Sequence, residues 1–248
     1  MKTLEIIAMV YKSVIYVEFI IDQIKKFSHD FDDIKISYRI IANDPYPQVE
    51  EYLVKNNIPH DIYHDPKPDD YYLNRVYRCW NYGGATSNAD LICFVNSDDA
   101  FCPGWLEALY EAHQQNYLPA SRLIESGKIQ SGKHAIMKNF GRHPDEFDQE
   151  GWLKFVEQYK SPAIELGGLY MPCLFDRKEF IDAGLYPEGN IYNNGVGTCN
   201  GRTVIAGDAY FFIKFEKLTG RKHATPFKSM VYHIQEGEKD SPKDSLIW

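Results

Sequence analysis

Residues 93–101 read CFVNSDDAF, and this stretch runs from an apolar segment directly into two adjacent carboxylates, Asp98 and Asp99. The apolar run from Leu91 to Val95 has the length and composition of a buried strand. Adjacent carboxylates repel each other, and burial raises the cost of charging them. A divalent cation at the end of this strand would offset that cost. The alternative is a turn in which an aspartate caps the following helix.

Outward from this strand, the apolar pattern of the first half predicts strands that alternate with helices. The strands span 4–11, 34–42, 60–64 and 91–95, and the helices span 17–27, 47–57, 71–82 and a segment from Pro103 onward. Gly83-Gly84 is expected to end the third helix. Such alternation is typical of an α/β protein with a mostly parallel sheet and helices on both faces.

The second half of the chain has a weaker pattern. Residues 117–165 show no clear strand. Further along, the sequence predicts strands over 168–175 and 230–234 and helices over 176–183 and 207–220. We expect a single domain, 1–248, with two halves that divide near residue 115.

Acidic side chains follow two of the predicted strands at the point where each strand ends. Asp44 comes directly after the second strand, and Asp98 and Asp99 follow the fourth. Ligands of open α/β sheets bind at the carboxyl ends of the strands. The shared placement therefore favours one binding site, although an Asx turn before Pro45 would also explain Asp44.

Composition narrows the class of partner and the compartment. The 248 residues carry a formal net charge of −8 and no basic stripe, which argues against a nucleic-acid partner. Five cysteines, an odd number without a CxxC pair, argue against a disulfide framework and favour a reducing compartment, the cytoplasm. The N-terminal stretch predicts no secretion signal, and no apolar run reaches membrane-spanning length.

Three stretches, in this order, resemble the family-2-like glycosyltransferases with the GT-A fold. They are SNADLICFVNSDDAFCPGWLEAL (87–109), GGLYMPCLFDRKEFIDAGLYPE (167–188) and AGDAYFFIKFEKLTG (206–220). The first resembles the family's strand and acidic DXD-type motif, the second its acceptor-side strand and helix, and the third the helix that carries the catalytic base. The chain departs from the family pattern at Asn96, where the family often has aspartate, and at Trp80, where it usually has arginine.

The resemblance implies an inverting, metal-dependent glycosyltransferase of polysaccharide biosynthesis. It implies transfer of a sugar from a nucleoside diphosphate sugar, such as a UDP-sugar, to a hydroxyl of a glycan or glycolipid. A lipid-linked acceptor would bring the protein to a membrane surface. Carboxylates suit Mn²⁺ or Mg²⁺, so Asp98 and Asp99 are the candidate metal ligands, and one of the two could hold a ribose hydroxyl. By the same resemblance, His233 completes the metal site.

The resemblance further implies that the half at about 1–115 binds the nucleotide-sugar and that the half at about 116–248 binds the acceptor and carries the catalytic base. The resemblance implies that Asp44 recognises the nucleobase and that Asp208 is the general base. The end of the first strand should line the nucleotide pocket. Arg75 and Arg78 lie three residues apart and therefore share one face of a predicted helix. They could contact the nucleotide or its diphosphate, or this face could simply be solvated. These candidate nucleotide-binding residues are Ala8, Val10, Tyr11, Arg75, Arg78 and Asn81.

Asp208 and the segment 189–202 each have an alternative, purely structural explanation, and two other functions are alternatives to a glycosyltransferase. Aspartate is common in the first turn of a helix, where the dipole would lower the basicity of Asp208. The Gly- and Asn-rich segment 189–202 is either a lid over the donor or a variable surface loop. Asn96 leaves open a non-catalytic relative that only binds nucleotide-sugar or glycan. A nucleotidyltransferase is disfavoured because AMVYKSV lacks the glycines of a triphosphate loop.

Overall fold

The computed structural model describes residues 2–70, 72–127, 132–187, 198–199, 202–203 and 206–234. The helices, in chain order, are α1 (Val14–Phe27), α2 (Pro47–Lys55), α3 (Tyr72–Thr86), α4 (Trp105–Gln114), α5 (Gln149–Tyr159), α6 (Arg177–Asp182) and α7 (Gly207–Thr219). The strands are β1 (Lys2–Val10), β2 (Ile34–Asn43), β3 (His60–Tyr63), β4 (Leu91–Asn96), β5 (Asp99–Phe101), β6 (Tyr117–Pro119), β7 (Arg122–Glu125), β8 (Ile136–Met137), β9 (Ile164–Leu166), β10 (Cys173–Asp176), β11 (Thr198–Cys199), β12 (Arg202–Thr203), β13 (Lys222–Pro226) and β14 (Met230–His233). Every described helix is too short or too polar to span a bilayer.

The central sheet has the strand order β10-β4-β1-β2-β3. Strands β1 to β4 run parallel, and β10 joins β4 antiparallel. Side chains of β1 alternate between two cores: Ile6 and Ala8 pack in the cluster that contains α1, whereas Ile7 packs in the cluster that contains α3. The predicted α/β fold, with a parallel-rich sheet covered by helices on both faces, is confirmed.

The expected end of α3 at Gly83-Gly84 is wrong, because the helix continues to Thr86. Both glycines face the sheet. A Cβ atom on Gly83 would lie 2.7 Å from Cγ2 of Ile7, and one on Gly84 would lie 2.7 Å from Cε1 of Phe180. The two glycines therefore allow α3 to pack closely against the sheet and α6. A glycine pair also commonly ends a helix, which is why the sequence predicts a helix end here.

The second half contains more strands than the sequence predicts. Strands β6 to β9 and helix α5 lie within 117–166. The prediction that 117–165 contains no clear strand is therefore wrong. These strands are two to four residues long and pair mainly with β13 and β14, which lie far away in sequence. The strand predicted over 168–175 begins only at Cys173. Short strands that depend on distant partners carry little local pattern of their own.

Besides the antiparallel pair of β11 and β12, the described part of this half contains two small sheets. One has the order β6-β13-β9 and the other the order β5-β14-β7-β8. In the second, β14 lies between β5, which is antiparallel to it, and β7, which is parallel to it. This sheet starts directly after the central strand β4, so it carries the side chains of β14 and β7 to the end of that strand.

Candidate functional site

The three predicted metal-binding side chains lie together at the end of β4. Asp98 and Asp99 are buried, with 6% and 1% of their surface exposed. His233 of β14 lies directly opposite Asp99 of β5. One ligand atom from each of the three side chains lies within 4.8 Å of the others. Residues 135 positions apart in the chain are thus brought to one point.

The hydrogen bonds of this cluster leave one carboxylate oxygen free. Nε2 of His233 lies 3.3 Å from Oδ2 of Asp98. Oδ2 of Asp99 accepts a hydrogen bond of 2.8 Å from the backbone N–H of Asn96. Oδ1 of Asp99 is buried and has no hydrogen-bond partner among the described residues. A buried, unpartnered carboxylate oxygen is costly, and a bound cation would offset that cost.

The alternative of a helix-capping turn is wrong. The residue that precedes α4 is Gly104, which has a left-handed backbone conformation and provides no side-chain cap. Asp99 instead opens strand β5. The two carboxylates therefore do not satisfy the end of a helix, and their burial needs another explanation.

A further acid, Glu125, belongs to the cluster, although the sequence does not predict it. It is the last residue of β7, it is 5% exposed, and its Oε1 lies 3.4 Å from Nδ1 of His233. The imidazole therefore has a carboxylate at each ring nitrogen. No sequence signal pointed to Glu125, because β7 itself was not predicted.

The charges of this cluster shift one another's pKa values. Burial is the main reason that the pKa of Asp99 is raised to about 7; Asp98 and Glu125 raise it further, whereas His233 and the N–H of Asn96 lower it. For His233, burial lowers the pKa, but the neighbouring Asp98, Glu125 and Asp99 outweigh it and hold the pKa well above its usual value. The site is thus a buried concentration of negative charge around one imidazole. Two carboxylates and an imidazole form a donor set that suits Mn²⁺.

Three of the predicted nucleotide-binding residues meet at the ends of β1 and β2. Nη2 of Arg75 donates hydrogen bonds of 3.0 Å to Oδ2 of Asp44 and to the hydroxyl of Tyr11. The other oxygen of Asp44 accepts from the N–H of Asp65 at 3.1 Å, so both oxygens bind distant groups instead of forming a local Asx turn. The Arg75 side chain is only 14% exposed, which does not fit a solvated face. Val10 ends β1 directly before Tyr11.

Ala8, Arg78 and Asn81 are held by other parts of the protein. Ala8 is fully buried inside the sheet, paired with β2 on one side and β4 on the other. Arg78 is buried and forms ion pairs of 3.0 Å with Asp65 and 2.9 Å with Asp70. The amide of Asn81 makes two 2.8 Å hydrogen bonds to the backbone of Tyr186. Direct contact of these residues with a nucleotide stays a prediction.

Asp208 lies in the first turn of α7, next to a buried tyrosine of α3. Its backbone N–H donates a 3.2 Å hydrogen bond to the hydroxyl of Tyr77, and its Oδ1 accepts a 2.7 Å bond from the N–H of Ala209. Burial raises the pKa of Asp208, and the hydrogen bonds from Ala209 and Tyr77 offset this only in part. Burial of Asp208 thus acts against the helix dipole and favours higher basicity.

Two features of the surface bear on the site. The predicted lid, 189–202, lies outside the described residues except for β11 and the first residue of β12. Two clefts on the described surface, one beside Lys160 and Lys228 and one beside Arg39, are lined by none of the predicted site residues.

Comparisons with known proteins place the fold. No family model matches the chain, and no curated protein matches it. Among solved structures, S. aureus TarS has a TM-score of 0.58 at 11% identity, over 94% of this chain and 36% of that one. A structure of TarS residues 1–349 has a TM-score of 0.56 at 10% identity, over 94% of this chain and 60% of that one. GalNAc-T7, in a structure with UDP, GalNAc and Mn²⁺, has a TM-score of 0.57 at 10% identity, over 97% of this chain and 46% of that one.

These matches concern the fold, because the identities are 10–11%. The chain spans between 36% and 60% of the length of these structures. The resemblance found in the sequence is confirmed at that level: the chain has the fold of the GT-A glycosyltransferases.

Proposed function

We propose that the protein is a metal-dependent glycosyltransferase that moves a sugar from a nucleoside diphosphate sugar to a hydroxyl of a glycan or glycolipid. The observation that carries this proposal is the cluster of Asp98, Asp99 and His233 at the end of the central strand β4, where a buried carboxylate oxygen has no partner in the part of the chain that the structure describes. This is where open α/β sheets bind their ligands. The fold, shared with glycosyltransferases, supports the same reaction class.

In this proposal, Asp98, Asp99 and His233 hold a divalent cation, Mn²⁺ or Mg²⁺. When bound, the cation stabilises the negative charge that develops on the departing diphosphate. Asp98, the more exposed of the two acids, would also hold a hydroxyl of the donor ribose. The presence of Mn²⁺ with UDP in the structure of GalNAc-T7 is consistent with this choice of ion.

We assign recognition of the nucleobase to the group formed by Tyr11, Asp44 and Arg75. Its members offer an aromatic ring, a carboxylate and a guanidinium, and the guanidinium donates hydrogen bonds to both other side chains. Ala8 and Val10, near the end of β1, would line the nucleotide site from below this group. We assign Arg78 and Asn81 to the same pocket through the loops that they hold, at Asp65–Asp70 and at Tyr186.

Asp208 is the proposed general base. An acceptor hydroxyl becomes a competent nucleophile when a carboxylate removes its proton in the transition state. The raised pKa of Asp208 brings its basicity nearer to the working pH, which favours that role. Attack from the side opposite the leaving diphosphate would invert the configuration of the anomeric carbon.

The proposed function also suggests which half of the chain binds the acceptor and in which compartment the protein works. Residues 1–115 would bind the donor and residues 116–248 the acceptor within a single domain, and a lipid-linked acceptor would bring the protein to a membrane surface. Four of the five cysteines, Cys79, Cys93, Cys102 and Cys173, are buried free thiols, which supports a reducing, cytoplasmic setting.

The test is donor hydrolysis and sugar transfer, measured with a panel of UDP-, GDP- and dTDP-sugars, with and without EDTA. We expect turnover that requires Mn²⁺ or Mg²⁺ and is lost in Asp208→Asn, which should still bind the donor. Full transfer by Asp208→Asn would refute its role as base. The departure at Asn96 favours a second candidate, a non-catalytic binder; nucleotide-sugar binding without turnover across many acceptors would support it.

A further inference from the structure

Glu125 and His233 occupy paired positions of neighbouring strands. The parallel register of β14 with β7 sets His233 beside Glu125, and the antiparallel register of β14 with β5 sets His233 opposite Asp99. Side chains at paired positions project from the same face of a sheet. One face of this sheet therefore carries an acid, an imidazole and an acid in a row across three strands.

The backbone fixes this row on both sides of His233. The N–H of Ser126 donates to the carbonyl of His233 at 3.4 Å, and the N–H of Ile234 donates to the carbonyl of Asp98 at 3.2 Å. On the outer side, the N–H of Lys138 donates to the carbonyl of Glu125 at 2.9 Å. The strand that carries the imidazole is thus held between the strands that carry the two acids.

The two ring nitrogens of His233 face different partners. Nε2 points to Asp98 at 3.3 Å and Nδ1 to Glu125 at 3.4 Å. A metal-binding imidazole uses one nitrogen for the ion, and the partner of the other nitrogen sets its tautomer and the orientation of the ring. In this arrangement Nε2 is the nitrogen that faces the candidate metal site, and Nδ1 faces away from it.

We propose that Glu125 is a positioning residue for the metal site: its carboxylate accepts a hydrogen bond from Nδ1–H of His233 and thereby directs Nε2 toward Asp98 and the cation. This inference rests on the proposed function, because it needs the cation that the function requires. The buried position of Glu125, with 5% of its surface exposed, strengthens the contact because little water competes for either partner. Glu125 acts through His233 and does not itself contact the donor.

Calorimetric titration of MnCl₂ into the wild-type protein and three variants tests the proposal. Loss of the partner of a metal-binding histidine typically weakens the metal site 10- to 100-fold, so we expect that loss in Glu125→Ala. Glu125→Gln keeps a side-chain oxygen that can accept from Nδ1–H, so we expect it to recover most of the affinity. Glu179→Gln, which alters an acid paired with Arg221 at 2.7 Å, is the matched control and should bind as the wild type does.

The outcomes separate this inference from the proposed function. Equal Mn²⁺ affinity of Glu125→Ala and wild type, or a loss in Glu125→Gln as large as in Glu125→Ala, would overturn the positioning role alone. A wild-type protein that binds neither Mn²⁺ nor UDP would overturn the proposed function and this inference with it. Thermal melts identify any variant that fails to fold.

A second measurement needs no substitution. Long-range ¹H–¹⁵N NMR of the wild-type protein loaded with Zn²⁺, a diamagnetic ion that accepts imidazole and carboxylate ligands, reports which nitrogen of His233 carries the proton. We expect the proton on Nδ1 and the ion on Nε2. The opposite tautomer would show that Glu125 does not orient the ring.

Discussion

Arg75 and Arg78 lie three residues apart on α3, and we expect the same substitution to affect a different property of the protein at each position. Arg78 is 7% exposed and pairs with Asp65, whose side chain is fully buried, whereas Arg75 is 14% exposed and pairs with Asp44, which is 22% exposed. We expect Arg78→Met to destabilise the fold and Arg75→Met to weaken nucleotide binding. Methionine keeps the length and apolar volume of the side chain while it removes the charge.

The expected loss of stability in Arg78→Met follows from the acidic side chains that would lose their ion-pair partner. Its guanidinium makes 3.0 Å hydrogen bonds to Asp65 and a 2.9 Å bond to Asp70. Removal of one member of a buried ion pair leaves an uncompensated charge and typically costs about 3–5 kcal/mol. Asp44 in the Arg75→Met variant stays partly solvated, so the loss of stability there should be about 1 kcal/mol or less.

Urea unfolding measures the free energy of unfolding of both variants, and calorimetry with UDP and Mn²⁺ measures their nucleotide affinity. Adding Asp65→Asn to Arg78→Met should recover a large part of the stability, because the orphaned charge is removed with its partner. The reasoning is refuted if Arg78→Met costs under about 1 kcal/mol and lowers UDP affinity at least tenfold. That result would favour the direct nucleotide contact of Arg78 that the sequence predicts over its role in holding the loop at Asp65 and Asp70.

Three further predictions test the packing of α3, the buried histidine of β13 and the proposed base. Gly84→Ala places a Cβ 2.7 Å from Phe180 and should lower the free energy of unfolding by about 1–3 kcal/mol in urea titrations; an unchanged value would contradict the close packing. Burial lowers the pKa of His223 to about 4, so its folded form resists protonation and stability should fall as the pH drops from about 6.5 to 4, by up to roughly 3 kcal/mol. Urea titrations at both pH values should show a smaller acid loss in His223→Gln, and an equal loss would count against the assignment. Tyr77→Phe removes a hydrogen bond that lowers the pKa of Asp208, so the acid limb of the pH–rate profile should move to higher pH; a shift to lower pH would show the opposite sign.

The sequence predicted the parts of the fold that are encoded locally. The apolar run before Asp98 and the helical spacing after Ser13 each determine one element on their own, and both elements form as expected. Gly83 and Gly84 misled the prediction, because a glycine signals a helix end and a close helix contact equally well. The tertiary partner that distinguishes these cases, Phe180 of α6, lies far along the chain.

The candidate site could be predicted only as far as its residues follow recognisable strands. Asp98, Asp99 and His233 stand at strand ends that the sequence shows, and the structure brings them within 4.8 Å. Glu125 ends a four-residue strand that exists through its pairing with β14, so its place beside His233 has no local signal. The ion pairs of Arg78 were likewise invisible, because Asp65 and Asp70 lie in a loop whose path depends on the fold.

The central claim is that Asp99 and its neighbours hold a cation that binds the donor diphosphate. Its most direct test is calorimetric titration of UDP in the presence of Mn²⁺, repeated with EDTA and with Asp99→Asn, a nearly isosteric change that removes the charge. We expect UDP binding with Mn²⁺ that is lost both with EDTA and in the variant. UDP binding of equal affinity under all three conditions would contradict it.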